Sequence, residues 1–246
     1  MMILPVTQIG SLPHHTVADA VTYSRKHPIP FLPERLVSNS EYMLSLVNDP
    51  GRLSCLDDFT KEPFVGQVKV QCIGPMALMR EERCNAREAV GKIRTYLDTI
   101  FDRINATGQK ILFLDEPGLS HTDTMLSEQL WSTIFDAYDA TPGIHNCGKV
   151  PFEAMFQSEV VRIISFDASR YRQQAEQALP KRNGKRIAWG VKSIEDVLEF
   201  KPGDLITPPC GVAFKDKQAS VLHTVPECEA IYSNLMDIAT KLTAKP

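Results

Sequence analysis

An α/β fold, a (β/α)8 TIM barrel built with short loops as one domain over residues 1–246, is predicted by three observations. Strand-like apolar runs alternate with helix-like amphipathic segments, the pattern of a parallel sheet covered by helices. Eight such runs fit into 246 residues, the size of a barrel of eight βα units. The first run ends in IGSLPHH, which is not the glycine-rich turn that a dinucleotide-binding open sheet carries at that point.

The runs are PVTQIGS (5–11), IPFLPE (29–34), VKVQCIG (68–74), ILFLDEP (111–117), GIHNC (143–147), IISFDA (163–168), IAWGV (187–191) and LITPPCG (205–211). Each is strand-sized and apolar, as buried strands are. The second is irregular, with prolines at 28, 30 and 33. Between them, TVADAVTYSRKH (16–27) places Val17, Ala20 and Val21 at helical spacing. AREAVGKIRTYLDTIFDRINATG (86–108) is long and amphipathic and ends at Gly108, a C-cap glycine. SEQLWSTIFDAYDA (127–140), PFEAMFQSEVV (151–161), QQAEQAL (173–179) and SIEDVLEF (193–200) follow as helices, and PECEAIYSNLMDIATKL (226–242) is the last.

Hydrophobic content of 43% and charged content of 23% are ordinary for a globular protein. The net charge of −3 and the lack of a basic run argue against a nucleic-acid partner. No apolar run approaches the roughly 20 residues of a membrane helix. MMILPVTQIGS has neither a basic region nor a small-residue cleavage site, so it does not read as a signal peptide, and the expected compartment is the cytoplasm. Six cysteines are scattered along the chain; in a reducing compartment they are not a disulfide framework. Cys55, Cys72, Cys84 and Cys228 are expected to be core or incidental residues.

A barrel places its functional groups at the C-terminal ends of its strands. Those ends carry Gly10-Ser11, Glu34, Asp115-Glu116, His145 and Cys147, Asp167, Lys192-Ser193 and Cys210-Gly211. Residues i and i+2 of a strand face one side, so His145 and Cys147 can share a site. A bare His-x-Cys is more often structural than metal-binding. With Cys210 and Asp167 at neighbouring strand ends, the four become a tetrahedral zinc set of one imidazole, two thiolates and one carboxylate. Asp115-Glu116 has two readings: capping of the following helix, or a carboxylate that holds a substrate amine. The Gly10-Ser11 turn either binds a carboxylate through its N–H groups or is only a turn. His14 and His15 are expected at the surface, on the rim of the site.

TQIGSLP, QCIGPMAL, LDEPGLS, IHNCG, ISFDASR and TPPCG occur in the order and approximate spacing of cobalamin-independent methionine synthase. The chain resembles the C-terminal catalytic barrel of that family over nearly its whole length. Corrinoid-to-thiol methyltransferases of the uroporphyrinogen-decarboxylase-like group share the H-x-C-G and the late Cys-Gly. The resemblance implies a barrel with a catalytic zinc that holds the acceptor thiol, homocysteine in methionine synthase, as a thiolate. By motif the ligands would be His145, Cys147 and Cys210, with Asp167 where the family has a glutamate. Ile9, Gly10 and Ser11 would hold the amino-acid carboxylate, and Asp115, of the candidate catalytic pair Asp115 and Glu116, its amino group. Glu34 in LPERL matches the second amine contact, with Glu41 competing for that place.

The implied chemistry is sound on physical grounds. A free thiol, with a pKa near 8.5, is mostly protonated at neutral pH, and coordination to zinc deprotonates it. Two departures bear on the methyl donor. The family's large N-terminal half has no counterpart in these residues, and the loops leave little room for a polyglutamated folate. WGVKSIED lacks the histidine that in the family follows strand seven and protonates the leaving folate. Expelling an amine needs a general acid; a corrinoid leaves without one. The expected donor is therefore a methylcorrinoid carried on a protein partner, or another methyl carrier. A thioether lyase and a non-catalytic zinc- or thiol-binding accessory protein are the alternatives.

Overall fold

The structure is a computed structural model that describes residues 4–119, 124–213 and 223–244. Six of the eight expected runs form strands. They are β1 (Val68–Ile73), β2 (Lys110–Asp115), β3 (Thr141–Asn146), β4 (Ile163–Asp167), β5 (Arg186–Gly190) and β6 (Leu205–Thr207). All pair in parallel, in chain order. The sheet curves through 201° and stays open, a half-barrel rather than the full (β/α)8 TIM barrel expected from the sequence.

Proline explains the difference. The first two runs hold Pro5, Pro30 and Pro33, which lack the N–H a ladder needs and confine φ. These segments make only isolated bridges: Val6 with Ile206 at the β6 edge, Phe31 with Lys69 at the β1 edge, and Leu12 with Arg35. Ile206 N donates to Pro5 O at 2.7 Å, Lys69 N to Pro30 O at 2.8 Å, and Ile29 N to Val6 O at 3.1 Å. Irregular chain thus covers both sheet edges, where unpaired strand groups would otherwise stand open.

Both faces of the sheet carry apolar residues. Ile111, Phe113, Ile163, Ala188 and Leu205 form a small inner cluster with Ile9 and Ile29. Leu112, Leu114, Ile144, Ile164, Phe166, Ile187 and Trp189 belong to the larger cluster packed under the helices.

The helices are α1 (Val17–Arg25), α2 (Leu36–Asn39), α3 (Met43–Asn48), α4 (Leu56–Thr60), α5 (Pro75–Glu82), α6 (Ala86–Phe101), α7 (Thr124–Phe135), α8 (Phe152–Gln157), α9 (Arg172–Ala178) and α10 (Val225–Thr243). Local signals start the longer ones. Thr16 caps α1, and Asn85 with Glu88 and Thr224 with Glu227 form capping boxes on α6 and α10.

Three helix expectations need correction. α6 stops at Phe101 instead of running to Gly108. Gly108 instead lies against Gly66, where a Cβ would stand 2.4 Å from the Gly66 carbonyl carbon. SIEDVLEF makes a single 3-10 turn, Ile194–Asp196, because Asp196 Oδ2 accepts from the N–H groups of Lys192 and Ser193 and tightens the chain there. α5 was not expected, although Pro75 in its first turn marks a helix start. Among the described residues no helix is long and apolar enough to cross a membrane.

Candidate active site

Strand register assembles the site. Asp115 pairs with His145 across β2–β3, and His145 with Ser165 across β3–β4. His145 is buried, and its Nδ1 meets Ser165 Oγ at 2.9 Å. That contact fixes the ring and leaves Nε2 to meet Cys147 Sγ at 2.8 Å. Cys147 Sγ in turn lies 3.5 Å from Cys210 Sγ, which follows β6 in an exposed loop. The three donor atoms all lie within 4.8 Å of one another.

The donor set fits zinc. One imidazole and two thiols, His145 and Cys147 from the end of β3 and Cys210 from the loop after β6, meet at the C-terminal end of the sheet, and nitrogen and sulfur are the ligands zinc prefers. Three protein donors would leave a tetrahedral metal one open position. The hydrogen bond with Cys147, with His145 adding to it, holds the Cys210 thiol well below the usual thiol range. A thiolate is the form a metal requires.

Asp167 is not brought into this cluster. Its Oδ1 accepts from Ser169 Oγ at 2.7 Å and Arg170 N at 3.0 Å, capping the turn that follows β4. A short carboxylate at a strand end satisfies the nearest free N–H groups first. Ser165, two residues earlier, is the β4 residue that reaches the histidine.

Beside the cluster lies a buried polar set. Asp115 Oδ2 accepts from Gln71 Nε2 at 2.5 Å, while its Oδ1 is buried with no hydrogen-bond partner among the described residues. Ser11 Oγ donates to Glu34 Oε2 at 3.1 Å. Lys69 is buried, donates to Gln71 Oε1, and its ammonium stands 4.8 Å from the centre of the Phe113 ring. Burial pushes Asp115 up to about 6. Burial, reinforced by the Asp115 charge, pushes Glu34 up to about 8. Burial brings Lys69 down to about 8.

The competition between Glu34 and Glu41 has a geometric answer. Glu41 accepts from Arg35 N at 2.9 Å, Asn39 Nδ2 at 2.9 Å and Ser54 N at 3.1 Å, so it is committed to its own loop. Glu34 faces Ser11 and Asp115. Of the two readings of Asp115-Glu116, capping describes Glu116. Glu116 accepts from Met76 N at 3.1 Å, Ala77 N at 2.8 Å and Trp131 Nε1 at 3.0 Å, which caps α5 and ties it to α7. A Cβ on Gly74 would lie 2.2 Å from Glu116 Cδ, so the glycine makes room for this cap. Glu116 is therefore occupied on the helix side, away from its expected place beside the substrate.

The Gly10 turn has φ +73, the left-handed region that favours glycine. A Cβ there would stand 2.8 Å from Gly211 Cα, and Ala213 N donates to Ser11 O at 3.0 Å. The turn and the Cys210 loop thus meet backbone to backbone, with Ile9 buried beneath. His14, expected at the surface, is buried with its ring 4.9 Å from Tyr23, and burial lowers its pKa; His15 is exposed. Ser120, the last residue of LDEPGLS, lies outside the described residues.

Glu34 makes the fold sensitive to pH. Its folded pKa lies above the ordinary carboxylate value, so its contribution to stability is full below about 4.5 and is lost as pH rises toward about 8. Wild type should therefore lose stability between pH 5 and pH 8, and Glu34→Gln should remove on the order of 1 kcal/mol of that loss. Urea midpoints at the two pH values decide it; parallel losses in both proteins would refute the assignment.

An open α/β half-barrel with a His-Cys-Cys cluster beside buried carboxylates is a scaffold with a candidate metal-thiolate site. No protein-family model and no curated protein sequence matches the chain. Among solved structures, it is similar to a Listeria monocytogenes protein named as a candidate vitamin-B12 independent methionine synthase. The two are 14% identical with a TM-score of 0.45, and the match covers 76% of this chain and 69% of that one.

Proposed function

We propose that the chain is a zinc-dependent methyltransferase that moves a methyl group from a methylcorrinoid, carried on a protein partner, to a small amino-thiol of the homocysteine type. The product is a thioether such as methionine. The observation that carries this reading is the cluster of His145 Nε2, Cys147 Sγ and Cys210 Sγ, all within 4.8 Å of one another. Zinc at this site supplies the charge that keeps a substrate thiol in its thiolate form.

The chain's own residues do the rest. His145, Cys147 and Cys210 hold the metal, and Ser165 orients the histidine. Asp115 Oδ1 and Glu34 offer buried acceptors to the ligand's ammonium. The Gly10-Ser11 turn would hold its carboxylate, with the Gly10 N–H shared with Gln71 Oε1 at 3.4 Å. The segment after β5 presents Lys192 and Ser193 with their N–H groups bound to Asp196 and supplies no imidazole to protonate a leaving amine. A corrinoid donor has no such need.

The test is methyl transfer by zinc-loaded protein with L-homocysteine. Methionine should form from methylcobalamin and not from methyl-tetrahydrofolate. No transfer from either donor, nor from a methylated corrinoid protein, would sink the reading. Release of thiol from an alkyl thioether without any donor would replace it with a lyase.

A further inference from the structure

Lys69 and Gln71 belong to neither the metal cluster nor the carboxylate pair. Both are buried, and both are bonded into the set that holds Asp115. We propose that Gln71 is a positioning residue. Its amide, held in one orientation by Lys69 and the Gly10 backbone, aims the free oxygen of Asp115 at a primary ammonium on the ligand. The proposal rests on the amino-thiol reading above and adds to it a residue that acts through Asp115.

The orientation follows from donor counting. A lysine ammonium and a backbone N–H can only donate. Lys69 Nζ and Gly10 N both approach the same atom of the Gln71 side chain, the latter at 3.4 Å, so that atom is the oxygen. The other atom is then the amide nitrogen, which donates to Asp115 Oδ2 at 2.5 Å. Tying one carboxylate oxygen fixes the direction of the other. Asp115 Oδ1 is left buried with no hydrogen-bond partner among the described residues, a costly state unless a ligand brings a donor.

Charge selects the donor. The buried set holds two carboxylates, Glu34 and Asp115, and one ammonium, Lys69. Both carboxylates can carry charge together only when a second positive group joins them, which a ligand ammonium supplies and a neutral or anionic group does not. Gln71 also accepts from the Gly10 N–H, so one amide ties the acceptor for the ammonium to the turn proposed to hold the carboxylate.

The experiment compares two thiols on zinc-loaded wild type and Gln71→Met. L-homocysteine carries the amine; 4-sulfanylbutanoate has the same thiol and carboxylate without it. Calorimetry should show homocysteine binding weakened about tenfold in the variant, with 4-sulfanylbutanoate binding and zinc content unchanged. Equal weakening of both ligands, or no weakening of homocysteine, overturns the role of Gln71 and leaves the thiol reading standing. A wild type that binds neither ligand overturns both. Gln71→Asn, one methylene too short to span from Lys69 to Asp115, must show the same selective loss and answers the question if the methionine variant does not fold.

Discussion

Cys147→Ser protein should fold and lose its zinc. Cys147 is the middle member of the cluster, in contact with His145 on one side and Cys210 on the other. It is also only half-buried, so a serine of nearly the same size disturbs little packing. A hydroxyl is not deprotonated at neutral pH as a zinc-bound thiol is, and two remaining donors are too few for a stable site. Zinc affinity should fall by on the order of a hundredfold or more. Elemental analysis after dialysis, on protein purified without a metal-affinity tag, should find stoichiometric zinc in wild type and none in the variant. Cobalt substitution gives a second reading, because the thiolate-to-cobalt absorption should vanish with the cysteine. Zinc retained in full by Cys147→Ser, or zinc never taken up by wild type under reducing conditions, would return His145 and Cys147 to the status of ordinary strand-end residues.

Gly10→Ala should be destabilised by about 3 kcal/mol and should also bind zinc more weakly. Two effects add. A residue with a Cβ is strained at φ +73, which costs about 1–2 kcal/mol. The new methyl also meets the Gly211 backbone at 2.8 Å, an overlap worth about 1–3 kcal/mol that no rotamer can relieve. Relaxation moves Gly211, and Cys210 beside it moves too. Urea denaturation reads the first effect and chelator competition the second. An alanine variant with wild-type stability and wild-type zinc affinity would mean that the two loops are not coupled as described.

Much of this was legible in the sequence because apolar runs and helix caps are local signals. The six runs from VKVQCIG onward became β1 to β6. The two proline-bearing runs did not become strands, since ladder formation depends on N–H groups that those prolines lack. His145, Cys147 and Cys210 were recoverable because i, i+2 geometry and a second cysteine at another strand end point to one place. Asp167 lies apart from the cluster for a local reason: its neighbours' N–H groups are closer. Glu116 lies on the helix side because strand alternation sends it there while Asp115 turns inward. Lys69 and Gln71 went unread, yet the signal was present. Two polar residues at i and i+2 in the otherwise apolar VKVQC share one face of a buried strand, and that face is the interior. The burial of His14 had no such signal, because it depends on α1 packing over a loop.

The contact between Gly10 and Gly211 joins an earlier-made segment to one made much later, and this would set a timetable for loading a metal at the candidate site. His145 and Cys147 leave the ribosome as a two-donor pair, 63 residues ahead of Cys210. At roughly 5–20 residues per second, several seconds pass before the third donor exists. Only then can the Cys210 loop dock on the waiting Gly10 turn. Zinc acquisition should therefore be a late event in the life of each molecule. A nascent chain arrested before Cys210 should bind zinc no better than the Cys147→Ser protein.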